Sequence, residues 1–140
     1  MERGVNPDLG LAILRVVVGV IFIAHGTPKL FAGGMEGTAG FFGSLGIPFP
    51  LVAAWLVALL EFLGGLSLVG GLLVTPVSLL LAIHMLAGIV LVHAQNGFYV
   101  VGPGSGGIEF NLLLIASLLV LVFGGPGIAA IDGRRAGTAT

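Results

Sequence analysis

Residues 51–73 read LVAAWLVALLEFLGGLSLVGGLL, an apolar run broken by a single carboxylate, Glu61, near its middle. Crossing the hydrocarbon core of a bilayer takes about 20 apolar residues of helix, so this run is long enough. A charged side chain at that depth costs roughly 3 kcal/mol on insertion scales. Such a residue turns toward a partner or a cavity, or it stays protonated. Glu61 therefore reads as functional or as half of an essential internal pair.

The rest of the chain supports a lipid environment. Its 140 residues are enough for one domain. Hydrophobic residues make up 57% and charged residues 8%, about a third of the usual ~25% charged. Mean hydropathy is +1.20. A water-soluble fold could not cover its surface with so few charges. The net charge of −1 gives no footing for nucleic acid or for a polybasic lipid-binding face. The chain has no cysteine, which excludes disulfide exchange, thiolate metal sites and iron–sulfur ligation by this chain alone.

Periodicity and punctuation predict an all-α integral membrane four-helix bundle, with helices over about residues 9–31, 51–73, 76–94 and 108–123. Asn6-Pro7-Asp8 supplies a cap and a proline for the first helical position. The first apolar stretch is too long for a signal-peptide core, contains Arg15 and lacks a small-x-small cleavage site, so it reads as a retained span. The glycine-rich stretch after it reads as a break. Within that stretch residues 39–45, with Phe41, Phe42 and Leu45, form a short interfacial segment or a plain loop. Gly64-Gly65 and Gly70-Gly71 leave room for close helix approach. Four spans put both termini on one side. Arg3, Arg134 and Arg135 there, against Lys29 near the other face, predict an N-in/C-in orientation.

At 1.5 Å per residue the polar groups acquire depths above the cytoplasmic boundary. Arg15 comes at ~9 Å, His84 at ~12 Å, Glu61 at ~18 Å, His25 at ~24 Å, His93 at ~25 Å and Lys29 at ~30 Å. His25, Lys29, Glu61, His93 and Glu109 form an outer layer; Arg15 and His84 form an inner one. Side chains lean toward the N-terminus of their helix, so Glu61 leans outward and His25 and His93 lean back to meet it. His25 or His93 is then a better partner for Glu61 than Arg15. The layer predicts a pocket open to the outer face under the glycine-rich loop 94–107.

Each residue also has a plainer reading. Arg15 and Lys29 can snorkel to headgroups, His84 can make an interhelical hydrogen bond, and Glu109 can complement a helix dipole. Two histidines at one depth would suit a bis-histidine haem, but this ranks well below a pairing role. A metal site of His25, His93, Glu61 and Glu109 lacks diagnostic spacing, so no metal is assigned. Trp55 and Tyr99 read as interfacial aromatics.

Several stretches together resemble one family. LRVVVGVIFIAHGTPKL (14–30), Glu61 with Gly64-Gly65, HAQNGF (93–98), Glu109 and GPGIAAID (125–132) are similar, in order and spacing, to features of the DoxX family of small four-helix membrane proteins. Members of that family are generally described as candidate oxidoreductases or components of oxidoreductase complexes. One branch is associated with thiosulfate:quinone oxidoreductase, and some members with complexes handling thiol and oxidative stress. The resemblance implies a single domain over 1–140 that serves a quinone-linked or oxidative-stress-related oxidoreductase system. Glu61 and His25 would then be catalytic, by hydrogen bonding or proton transfer. Lys29, His93, Glu109, Arg15 and His84 would bind ligand. The cofactor stays open, with quinone ahead of haem. The expected partners are the lipid bilayer, a soluble redox enzyme and a second copy of the chain, and no nucleic acid. The rival readings are a non-enzymatic scaffold or lipid-binding protein, and a small transporter.

Overall fold

Asn6 starts the first helix with its side chain: Oδ1 accepts from the Leu9 amide at 3.1 Å, and Pro7 takes the first helical position. An Asn cap of this kind stabilises a helix by about 1 kcal/mol. The structure, a computed structural model, describes residue 4, residues 6–102 and residues 104–136, with only the backbone for 134–136. The helices are α1 (Pro7–Phe31), α2 (Gly34–Ser44), α3 (Pro50–Gly70), α4 (Val74–Gly88), α5 (Glu109–Gly124) and α6 (Ile131–Ala136). A π turn (Ile89–His93) and a 3-10 turn (Ala94–Asn96) prolong α4. No strand occurs among the described residues.

Three stretches, Pro7–Phe31, Pro50–Gly70 and Val74–Asn96, are long and apolar enough to cross a membrane. The fourth, α5, is apolar but shorter. The contacts close a circuit: α1 packs on α3, α3 on α4, α4 on α5, and α5 back on α1. Buried positions on α1 are Arg15, Val18, Gly19, Phe22 and Gly26, one stripe at three-or-four spacing. On α3 the matching stripe is Ala54, Ala58, Glu61, Gly64, Gly65 and Leu68. Small residues dominate it, and Glu61 lies on it. The other face of α3 presents Leu56 and Leu63, both more than half exposed, as suits lipid contact.

Glycine sets how close α1 and α3 come. A Cβ on Gly65 would stand 2.6 Å from the Gly19 carbonyl oxygen, and one on Gly26 would stand 2.7 Å from the Phe62 amide nitrogen. These backbone-to-backbone contacts are what small residues permit between helices in lipid.

The structure corrects two expected boundaries and one element. Residues 34–44 form a true helix, α2, packed against α3 and α1, despite its four glycines. Tertiary contact thus overrides weak local propensity. The helix carrying Glu61 ends at Gly70, three residues before the apolar run does. Gly71 adopts φ 70°, the Leu72 amide reaches back to the Ser67 carbonyl and the Gly71 amide to that of Leu68, which is a Schellman stop. The next helix begins at Val74, two residues early, because its first amides find a carboxylate. Asp132 accepts from the Leu73 and Val74 amides, each at 2.9 Å.

That carboxylate belongs to a clamp at the α3–α4 turn. Arg15, almost fully buried, donates to the carbonyls of Leu68 (2.8 Å), Val69 (3.0 Å) and Ile128 (3.2 Å). It satisfies carbonyls at the C-terminus of α3, while Asp132 satisfies amides at the N-terminus of α4. Arg3 lies outside the described residues, as do the side chains of Arg134 and Arg135.

The apolar core, including Val18, Leu68, Val74, Leu81, Leu118 and Leu121, draws on α1, α3, α4 and α5. Phe22 and Leu114 belong to this core and also face the cavity described next.

Candidate functional site: a cavity around Glu61

A cavity of about 890 Å³ lies among α1, α2, α3, α4, the π turn and α5. This is within the usual size for small-molecule sites. Phe22 and Leu114 line it together with Phe41, Phe42, Ile47, Met85, Leu91 and Phe110. The titratable groups on its wall are His25, Lys29, Glu61, His84 and His93.

Glu61 is buried, with each carboxylate oxygen engaged. Oε2 pairs with the Lys29 ammonium, and Oε1 lies 3.0 Å from His84 Nε2. Lys29 also donates to the His25 carbonyl at 3.0 Å. The close packing of Gly26 on Phe62 explains how Lys29 arrives: it sets Lys29 two residues, about 3 Å, beyond the level of Glu61, and its side chain leans back toward the centre.

These partners differ from those expected. The depth estimate favours His25 or His93 and sets His84 in a separate inner layer. The structure brings His84 to Glu61, and the reason lies in the two helix ends. Counted from the real boundaries, Glu61 stands nine residues before Gly70 and His84 ten after Val74. These spacings correspond to about 14 and 15 Å, so the two residues are level.

His25 lines the cavity, and its imidazole makes no hydrogen bond among the described residues. His93 lines it too, with Nδ1 2.6 Å from the Gly106 carbonyl oxygen. His84 and His93 are nine residues apart, which on an ideal α-helix puts them about half a turn apart, on opposite faces. The π turn at 89–93 places one extra residue in that interval and rotates His93 back by roughly 100°, so that both imidazoles reach one cavity. Nothing in the local sequence announces such a turn.

Glu109 holds a loop: its Oε1 accepts from the Val100 amide at 2.7 Å, and neither oxygen touches Glu61. The loop it fastens contributes Val100, Gly106 and Gly107 to the cavity wall. Arg15 does not line the cavity; its guanidinium is taken up by the α3–α4 turn. No group of three or more His, Asp or Glu placed to hold a metal occurs among the described residues.

Asn111, in the first turn of α5, was not among the expected site residues. It is buried and on the wall, and its Nδ2 donates to the Met85 carbonyl at 3.3 Å. Its one visible signal was a polar amide opening an otherwise apolar helix.

Comparison with known proteins places this architecture. The family model described as DoxX matches residues 10–94. The protein named "Putative oxidoreductase CatD" of Bacillus subtilis (strain 168) is 34% identical over 125 residues, covering 89% of this chain and 86% of that protein. "Inner membrane protein YphA" of Escherichia coli (strain K12) is 31% identical over 135 residues, 95% of each chain. "Uncharacterized membrane protein Rv3486" of Mycobacterium tuberculosis (strain ATCC 25618 / H37Rv) is 29% identical over 134 residues, 91% of this chain and 82% of that one. No solved structure matches. With membrane relatives matched over nearly their whole length and three helices of spanning length, this is a multi-pass membrane protein, and it belongs to the DoxX family.

Proposed function

We propose that the protein is the membrane-embedded component of a quinone-linked oxidoreductase system, and that the cavity around Glu61 receives a quinone ring. The single observation carrying this reading is the Lys29–Glu61–His84 cluster on the wall of an otherwise largely apolar cavity. Quinone-class molecules need an apolar slot with a few placed hydrogen-bonding groups, which is the usual make-up of a small-molecule site. When bound, a quinone accepts electrons and protons together. Glu61 and His84 share a hydrogen bond through which a proton can pass, and intramembrane Glu and His commonly serve as relays. Lys29 fixes the carboxylate and offers a positive charge to a developing oxyanion. His25, with its imidazole free, is suited to exchange that proton with the cavity.

The electrons must come from elsewhere, because the chain has no cysteine and no recognisable cofactor motif. A soluble redox enzyme docked at the membrane is the source this reading requires. The name of the Bacillus relative, which includes "oxidoreductase", agrees with it. The reading takes residues 1–140 as one domain with four spans, α5 included, and both termini in the cytoplasm.

The rival reading is a non-enzymatic scaffold whose ion pair fixes helix packing. It draws on the fact that both Glu61 oxygens already have protein partners. Mass spectrometry of lipids extracted from the purified protein separates the two, together with Glu61→Gln in cells or membranes. Quinone enriched over bulk membrane, with loss of the associated activity in Glu61→Gln, supports the oxidoreductase reading. No enrichment and a neutral Glu61→Gln variant would refute it.

A further inference from the structure

Asn111, in the first turn of α5, is more than nine-tenths buried and lines the cavity. Its Nδ2 donates to the Met85 carbonyl at 3.3 Å and lies 3.9 Å from the Met85 sulfur. A backbone carbonyl can only accept, so the amide nitrogen, and not the oxygen, must face α4. Gly88 makes this docking possible: a Cβ there would stand 3.2 Å from Nδ2. With the nitrogen held, Oδ1 is turned the other way, and it makes no hydrogen bond among the described residues.

The fully enclosed side-chain atoms that lack a partner among the described residues are Arg15 Nε and Ser78 Oγ; Oδ1 is not one of them, so it keeps accessible surface from which it can accept. Here the atom belongs to a residue on the wall of the cavity. Lys29 and His84 Nε2 are taken by Glu61, and His93 Nδ1 by the Gly106 carbonyl, while His84 Nδ1, His93 Nε2 and the His25 imidazole have no partner among the described residues. An imidazole presents a donor or an acceptor according to its tautomer, whereas the Asn111 amide oxygen can only accept.

We propose that Asn111 is a ligand-binding residue whose Oδ1 accepts a hydrogen bond from a ring hydroxyl, so that the cavity favours a hydroquinone or phenol over the corresponding quinone or ether. An amide oxygen offers nothing to a quinone carbonyl, which is itself only an acceptor. Asn111 thus reads the reduction state of the ring. This inference rests on the reading that the cavity takes a quinone-class molecule, and it adds which form is bound more tightly and by which atom.

The test is equilibrium binding of tetramethylhydroquinone, kept reduced under anaerobic conditions, and of its dimethyl ether, to the purified protein in detergent. The two probes share a ring and differ in whether they can donate. Wild-type protein is expected to bind the hydroquinone about fivefold more tightly, the worth of one neutral hydrogen bond. Asn111→Leu is expected to bind both equally while retaining affinity for the ether. Asn111→Ser, too short to reach the same point, gives the same expectation should the leucine variant fail to fold. A hydroxyl preference that survives in a folded variant overturns the assignment to Asn111. Equal binding of both probes by wild type overturns the inference but leaves the quinone cavity standing, and failure of wild type to bind either probe overturns both.

Discussion

Replacing Lys29 by methionine withdraws the ammonium from a buried carboxylate and leaves Glu61 with His84 alone. Breaking a buried ion pair from one side costs roughly 3–5 kcal/mol, because the remaining charge is stranded. The Lys29 side chain is 21% exposed against 7% for Glu61, so water reaches the cation and the lower end, about 3 kcal/mol, is expected. Glu61→Gln keeps the shape and can still accept from Lys29 and donate to His84, so it should cost about 1–2 kcal/mol. The double variant carries no stranded charge. It should be about 2 kcal/mol more stable than the sum of the single effects predicts. A pair at the water-exposed surface would show a coupling of only about 0.2–1 kcal/mol. The assay is unfolding of the detergent-solubilised protein by titrated denaturing detergent, followed by helical circular dichroism, for all four proteins of the cycle. Single costs that add within about 0.5 kcal/mol would refute the claim that the pair is a buried, interdependent unit.

The remaining predictions concern packing and topology. Gly65→Ala drives a methyl to 2.6 Å from the Gly19 carbonyl and should destabilise by about 1–3 kcal/mol, whereas Gly40→Ala in α2, with open space at its Cβ, should stabilise by about 0.5–1 kcal/mol. Thermal unfolding in detergent checks both, and a reversed order would contradict the packing described. Because the chain has no native cysteine, single cysteines report topology directly. The proposed orientation, with both termini cytoplasmic, predicts that Val101→Cys reacts with an impermeant maleimide on intact cells, and Gly133→Cys only after the membrane is opened. The opposite pattern would invert the orientation.

Much of the fold was legible because the solvent decides it. Apolar runs at 9–31, 51–73 and 76–94 correspond to the three long helices within a few residues, since a span must satisfy its own backbone in lipid. Arg15, Phe22 and Gly26 recur at helical spacing in the sequence, and all three are buried on α1. The arrangement of the site was harder to read, because it depends on small offsets. Gly71 stops α3 three residues before hydrophobicity ends, and Asp132 starts α4 two residues before its proline. Those shifts moved His84 level with Glu61. The π turn that brings His93 to the cavity is a property of backbone hydrogen bonding with no residue signature of its own. The helix over 34–44 was obscured by its glycines, since its packing partner α3 is not evident from local sequence.

The Arg15 clamp also constrains the order of assembly. Arg15 enters the membrane with the first helix, but its carbonyl partners lie 53, 54 and 113 residues further along the chain. During synthesis the guanidinium must stay near the headgroups or in water until α3 arrives. It is fully enclosed only when Ile128 and Asp132 close over the α3–α4 turn. A segment made 113 residues later therefore seals a helix inserted before it. A nascent chain cut short before residue 128 would carry a visible mark of incompleteness: a cation in an apolar helix with part of its shell missing.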